Sequence, residues 1–174
     1  GVRPFQNYAG YLQAEVIPLD ILRLTLGGRY DYSTLFAGTF NPRVGLVYKP
    51  LTNLDFKINY GTAYIQPSNY YRWENWANPF AMHVPNLDLK PEKVGSFNFN
   101  ASYDLLKNVN LGLDLFRNDV SDIIKPVPID QNTVFNPFLI VEKDKAYAET
   151  NKNQGKQYTQ GAELKLTYSL GKQD

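Results

Sequence analysis

The sequence predicts an all-β fold: an antiparallel up-and-down meander of about seven strands, part of the wall of a transmembrane β-barrel. Three observations lead there. Apolar and polar residues alternate with a period of two almost throughout, and no segment carries a convincing helical period. The alternating runs are mostly about 9–14 residues long, against roughly 5–6 for strands of globular proteins and about 9–11 to cross hydrocarbon on a tilt. Finally, 13 Tyr, 10 Phe and 2 Trp make 14% aromatics in a chain of mean hydropathy −0.40. So many rings in so polar a chain suit residues divided between two faces.

The elements follow in order. A weak first strand covers about 5–17. Segment 22–32 sets Leu22, Leu24, Leu26, Gly28, Tyr30 and Tyr32 against Arg23, Thr25, Gly27, Arg29 and Asp31. A shorter strand lies at 42–49. Segment 54–65 opposes Leu54, Phe56, Ile58, Tyr60 and Tyr64 to Asp55, Lys57 and Asn59. Weaker runs cover 92–103 and 109–118, and 160–170 opposes Ala162, Leu164, Leu166, Tyr168 and Leu170 to Glu163, Lys165, Thr167 and Ser169. Turns at 18–20, 50–53 and 104–108 are short, whereas the links 33–41, 66–91 and 119–157 are long. Strict alternation of short and long places tight turns at one end and loops at the other. No helical crossover is visible, so parallel pairing is not expected.

The faces point to a bilayer as the apolar solvent. Charge occurs in mid-strand on the polar face, as a wet lumen permits: Arg23, Arg29, Arg43, Lys57 and Lys165 are expected to face it. Tyr8, Tyr30, Tyr32, Tyr60 and Tyr64 fall toward one rim, and Tyr48, Tyr103 and Tyr168 toward the other, with aliphatic residues between. Amphipathic rings form such girdles at membrane interfaces. Tyr8, Leu24, Leu46, Phe56, Phe99, Leu113 and Leu166 should therefore share the convex face, with Arg23, Arg43, Lys57 and Lys165 on the concave one. At Arg117 the apolar row Val109, Leu111, Leu113, Leu115 is interrupted. Either a bulge near Phe116–Asn118 or an arginine reaching toward headgroups accounts for it. A soluble β-sandwich binding module is the competing reading, with the Leu, Ile and Tyr face packed on a second sheet.

Composition excludes much else. The net charge of +1 lacks the basic footprint of a nucleic-acid binder. With no Cys and only His83, there is no thiolate zinc site, cysteine nucleophile or multi-histidine metal site. No apolar run reaches the roughly 18 residues of a membrane helix, and the first residues show no signal-peptide pattern. Neither G-x-S-x-G nor a phosphate-binding glycine loop is present, so an enzyme is not expected.

Five segments, in this order, resemble a known family: GGRYDYS (27–33), NPRVGLVYKP (41–50), LDFKINYGTAYIQPS (54–68), NLDLKPEKVGSFNF (86–99) and YTQGAELKLTYSL (158–170). Together they resemble the β-barrel of TonB-dependent outer-membrane receptors. The most specific piece, Asn86–Glu92, resembles the family's N-P-x-L-K-P-E strand start, with Leu87 and Asp88 departing from it. Gly61–Ser68 resembles the Y-G-x-A-[FY]-x-x-P-S strand end, with Ile65 and Gln66 in place of the commoner Arg-Ala.

The resemblance implies a single segment, 1–174, from the second half of such a barrel, with the plug domain and remaining strands elsewhere in the same receptor. Residues 171–174 read as a further periplasmic turn. It further implies residence in the bacterial outer membrane and contact with its lipid. TonB-energised uptake of a ferric siderophore, haem or cobalamin is implied too, with the TonB complex engaging an N-terminal region. A passive porin, a surface adhesin and a TonB-dependent glycan importer are the alternatives. No cofactor is expected.

Ligand capture then falls to the loops. Tyr70, Tyr71, Arg72, Trp73, Trp76 and His83 are the candidates, with Phe80 beside them: flat rings for a flat ligand, and arginine for an anionic one. Rings that merely pack to order the loop are the plainer account. Arg29 and Arg43 share the electrostatic role or pair with neighbouring carboxylates. His83 as a haem ligand, and Glu142, Asp144 and Glu149 as a Ca²⁺ site, have weaker support, the latter lacking EF-hand spacing.

Overall fold

The computed structural model describes residues 4–138, 140–141 and 146–170, without the side chain of Ala37. Seven long strands form: β1 (Asn7–Leu19), β2 (Leu22–Ser33), β3 (Phe36–Leu51), β4 (Leu54–Ile65), β7 (Glu92–Leu106), β8 (Val109–Pro128) and β9 (Tyr147–Tyr168). Between β4 and β7 lie a one-turn helix α1 (Asn69–Trp73) and two short strands, β5 (Trp76–Ala77) and β6 (Ala81–Val84). The sheet runs β1-β2-β3-β4-β7-β8-β9-β6-β5.

Several expectations are corrected. The described residues hold nine strands rather than seven, because runs of two and four residues are too short to show a period. The 33–41 link is a tight turn, since β2 reaches Ser33 and β3 starts at Phe36 with Tyr30↔Phe40 and Asp31↔Thr39 in register. Gly38 and Pro42 had disguised that strand. Likewise β8 and β9 take up much of 119–157. Short and long connections therefore do not alternate strictly. One pairing is parallel, Ala81↔Tyr147 to Val84↔Thr150, with strands β7 and β8 rather than a helix supplying the crossover.

The described chain falls into two compact units. A wall unit holds residues up to Ala63, Val94–Asp119 and those from Tyr158; a loop unit holds Tyr64–Lys93 and Val120–Gln157. In the wall unit the register puts Tyr8 opposite Tyr32, Val16 opposite Leu24, Leu24 opposite Leu46, and Tyr48 opposite Phe56. Phe56 stacks with Tyr48 at 6.3 Å and with Phe99 at 6.1 Å. Tyr103, Leu111, Leu113, Leu164 and Leu166 line one apolar recess. These residues form one apolar face, largely exposed.

The other face is polar. Arg43 lies opposite Gly27 and Gly61, and Lys57 opposite Val47, itself opposite Arg23. Asn100 donates to Asp114 at 2.7 Å. A Cβ at Gly112 would touch Lys165.

β8 runs through Arg117 as one strand, Val109–Pro128. A Cβ at Gly161 would lie 2.6 Å from the Phe116 ring, so any other residue there would make that ring shift. Arg117 keeps its place on the apolar face, 5.3 Å above the Tyr158 ring, and binds both oxygens of Asp119 at 2.8 and 2.9 Å. The pair leaves no net charge there. Farther along the strand, Asp122 has a φ of 58°, in the left-handed region that short polar side chains tolerate.

Candidate functional site

The loop unit concentrates the buried side chains. Leu89, Ile124 and Ala148 are its apolar core, and Arg72, His83, Thr150 and Asn151 are buried with them. α1 starts where Ser68 caps it, its Oγ accepting from Tyr71 N at 3.2 Å. One helical turn sets Tyr70 four residues before Glu74, and the Tyr70 hydroxyl donates to Glu74 Oε1 at 2.8 Å. The β5–β6 hairpin is held by Asn78, whose Oδ1 accepts from the backbone of Phe80 and Ala81, both at 2.9 Å. Hairpin register places Trp76 opposite His83, and the parallel register places His83 opposite Glu149.

These placements build a relay. His83 is 1% exposed. Its Nδ1 is 3.1 Å from Glu149 Oε1 and its Nε2 is 3.6 Å from Glu74 Oε2. Tyr147 donates to Glu149 Oε2 at 2.8 Å, mirroring Tyr70 on Glu74. Trp76 donates from Nε1 to Glu74 Oε1 at 3.2 Å, and its ring leans on His83 at 6.1 Å and 30°. Asn151 Nδ2 donates to the Tyr71 carbonyl at 3.0 Å and lies 3.3 Å from His83 Nε2. Around this buried centre Tyr70, Trp76 and Tyr147 are 66%, 38% and 45% exposed.

The electrostatics agree with the geometry. Burial, the largest single influence, pushes the Glu74 carboxyl up. The hydrogen bonds from Tyr70, Trp76 and Asn151, with His83 opposite, together outweigh it and hold the group below its ordinary value of 4.5. The hydrogen bond to Glu74 raises Tyr70, and that to Glu149 raises Tyr147, so both phenols remain donors. The two carboxylates sit on opposite sides of the imidazole, so the three groups do not converge on one point. Among the described residues no cluster of three acidic, His or Cys side chains fits a metal ion. Of the Ca²⁺ candidates, Glu142 and Asp144 lie outside the described residues and Glu149 faces His83.

Of the candidate ligand residues, Tyr70, Trp76 and His83 are brought together, with His83 beneath the surface. Tyr71 sets its ring edge against Tyr70 at 6.0 Å and supplies a carbonyl to Asn151. Trp73 is half-buried at the end of α1. Arg72, 6% exposed, turns away and donates to the carbonyls of Leu87 (2.6 Å) and Leu89 (3.4 Å). The following residues are clamped as well: Lys90 and Asn153 exchange two hydrogen bonds at 2.9 and 2.8 Å, and Glu92 accepts from Ile124 N at 2.8 Å. Sequence reasoning missed Glu74, Tyr147 and Asn151. The alternation Tyr147, Glu149, Asn151 was the available signal, hidden inside a stretch read as loop.

In the wall unit, Arg23 meets Glu15 at 3.5 Å, Arg29 grips both oxygens of Asp31, and Lys57 meets Asp55 at 3.6 Å. Arg43 lines a polar recess of about 390 Å³ with Asn59, Gly61, Ser96 and Asn98. Lys165 lies beside Gly112.

Long antiparallel strands with one bare apolar face and one ion-paired polar face define a wall segment of a transmembrane β-barrel. The family described as TonB dependent receptor-like, beta-barrel matches residues 2–172, and the chain belongs to that family. No curated protein matches the sequence. Among solved structures, the siderophore receptor PirA from Acinetobacter baumannii is 21% identical, with a TM-score of 0.72, covering 96% of this chain and 26% of that one. A variant of the ferric enterobactin receptor from Pseudomonas aeruginosa, solved with enterobactin, is 19% identical at TM-score 0.79, covering 96% and 25%. The FrpB iron transporter from Neisseria meningitidis is 16% identical at TM-score 0.65, covering 96% and 24%. The chain thus spans about a quarter of these proteins, and the likeness is one of fold.

Proposed function

We propose that this chain forms part of the wall and loop face of an outer-membrane receptor that takes up a ferric siderophore with energy delivered through TonB. In this reading the apolar face meets lipid. The polar face, with Arg23, Arg29, Arg43, Lys57 and Lys165, lines a lumen occupied by the receptor's plug domain. The loop unit captures the ligand outside. The observation that carries the reading is the Tyr70–Trp76–Tyr147 group: exposed rings whose polar tips are fixed by carboxylates, on a unit with its own core. Pre-ordered rings bind a flat or bulky complex with little ordering cost.

The test is radioiron uptake by cells expressing the full-length receptor. Uptake of at least one siderophore-bound iron source should depend on the receptor and on TonB, and Trp76→Ala should weaken binding severalfold. Uptake indifferent to both would end the proposal.

A further inference from the structure

One cation of the polar face lacks what its neighbours have. The proposed place of the plug domain in the lumen, on which this rests, turns that lack into a contact. Arg23 holds Glu15, Arg29 holds Asp31, and Lys57 holds Asp55. Arg43 has no ion pair or hydrogen bond among the described residues. Register explains the difference. Arg43 lies between Gly27 of β2 and Gly61 of β4, neither of which offers a side chain. On the same face Glu15 and Asp31 are taken by their own arginines, and Asp114 accepts from Asn100.

A recess of about 390 Å³ opens beside Arg43, lined also by Asn59, Gly61, Ser96 and Asn98, with no acidic side chain among the described residues that border it. A hydrogen-bond chain fixes one side: Asn98 donates to Ser96 at 3.3 Å, and Ser96 donates to Asn118 at 2.7 Å. Residue 61 leaves the space, because a Cβ there would meet only the Pro42 carbonyl, at 3.8 Å. A guanidinium flanked by side-chain amides is a donor set that fits a carboxylate.

In an open lumen water serves Arg43, which is exposed. Protein filling the lumen displaces that water, and a guanidinium left there without an anion is costly. The neighbouring wall acids are already engaged, so the neutralising acid has to arrive with whatever fills the lumen. We propose that this recess receives an aspartate or glutamate of the plug domain, held by Arg43 in a charge-assisted pair with the amides of Asn59 and Asn98 beside it.

The test uses the full-length receptor in outer-membrane vesicles. In Arg43→Lys a carbodiimide should couple the new amine to the facing carboxylate, and peptide mapping should place the cross-link on one plug acid. Arg43→Glu should speed hydrogen exchange in the plug segment around that acid about tenfold, and replacing the acid by arginine should restore protection. Gly61→Leu fills the recess without altering charge and should loosen the same segment. A cross-link confined to acids of this chain, or none at all, would overturn the proposal. So would plug exchange unchanged in both Arg43→Glu and Gly61→Leu. Weaker binding of a ferric tris-catecholate by Arg43→Gln, with plug exchange unchanged, would give Arg43 to the ligand instead and also overturn it. If Arg43→Glu fails to reach the membrane, Arg43→Lys and Gly61→Leu decide. A plug cross-link in a receptor that takes up no siderophore iron sustains this contact and sinks the uptake reading. TonB-dependent uptake without the cross-link does the reverse.

Discussion

The wall unit and the loop unit solve the same problem with opposite means. Among the described residues, the buried Leu89, Ile124 and Ala148 lie in the loop unit, as do the buried Arg72, His83, Thr150 and Asn151. Among the described residues of the wall unit the buried side chains are the polar Asp31 and Ser33, while Leu164, Leu166 and Tyr168 stand exposed. A sheet can leave its apolar face bare when the solvent on that face is hydrocarbon, and its hydrogen-bonded ladder then satisfies the backbone. A unit in water must instead cover its apolar atoms and pair its buried polar groups, as it does for Asn151 Nδ2 though not for Asn151 Oδ1. The same chain does both, switching at Ala63, Lys93, Asp119 and Gln157.

The contrast can be broken from either side in the full-length receptor. Leu89→Ala should cost the loop unit about 2–5 kcal/mol, read as faster hydrogen exchange over 69–91 with unchanged wall amides. A uniform change across both units would deny that they are separate. Leu113→Arg on the apolar face should cost about 2–4 kcal/mol in lipid-vesicle unfolding, whereas Lys165→Leu on the opposite face should stay within about 0.5 kcal/mol. Equal costs would mean the faces are misassigned. Asn151→Ala removes the donor to Tyr71 O and should cost about 1–3 kcal/mol, again confined to the loop unit.

The smallest effect is on pH. Glu74 titrates lower when folded than when unfolded, so its contribution is complete above the unfolded value and is lost as pH falls through the folded one. Protease resistance of the loop unit should be flat between about pH 7 and 5 and decline below the ordinary carboxylate range. Glu74→Gln should flatten that decline; an unchanged profile would assign it to another group.

The two units also differed in how much the sequence disclosed. Wall strands were legible because each face meets a different solvent, which writes a period of two into Leu24, Leu46, Phe56 and Leu166. That signal fades where both faces meet water, so the ends of β8 and β9 passed for loop. The relay was less visible still. Asn151 meets Tyr71 across 80 residues and His83 meets Glu149 across 66, and no local spacing encodes such contacts. Tyr70, Trp76 and His83 stood out as residue types, but their arrangement came only with the parallel pairing of β6 and β9. Arg117 breaks the apolar row by type alone, since Asp119 and Tyr158 answer its charge without moving it off that face.

The register of the wall unit has a consequence for how such chains diverge. Each position in a wall strand must answer a binary question, lipid or water, and many side chains give either answer. The wall therefore carries about one bit of information per residue, and its sequence can drift widely while the ladder stays in place. Fold likeness with TM-scores of 0.65 to 0.79 at 16 to 21% identity is what so undemanding a code permits. The relay around His83 demands particular atoms at particular distances, so the loop unit is where two related receptors of different diet should be told apart.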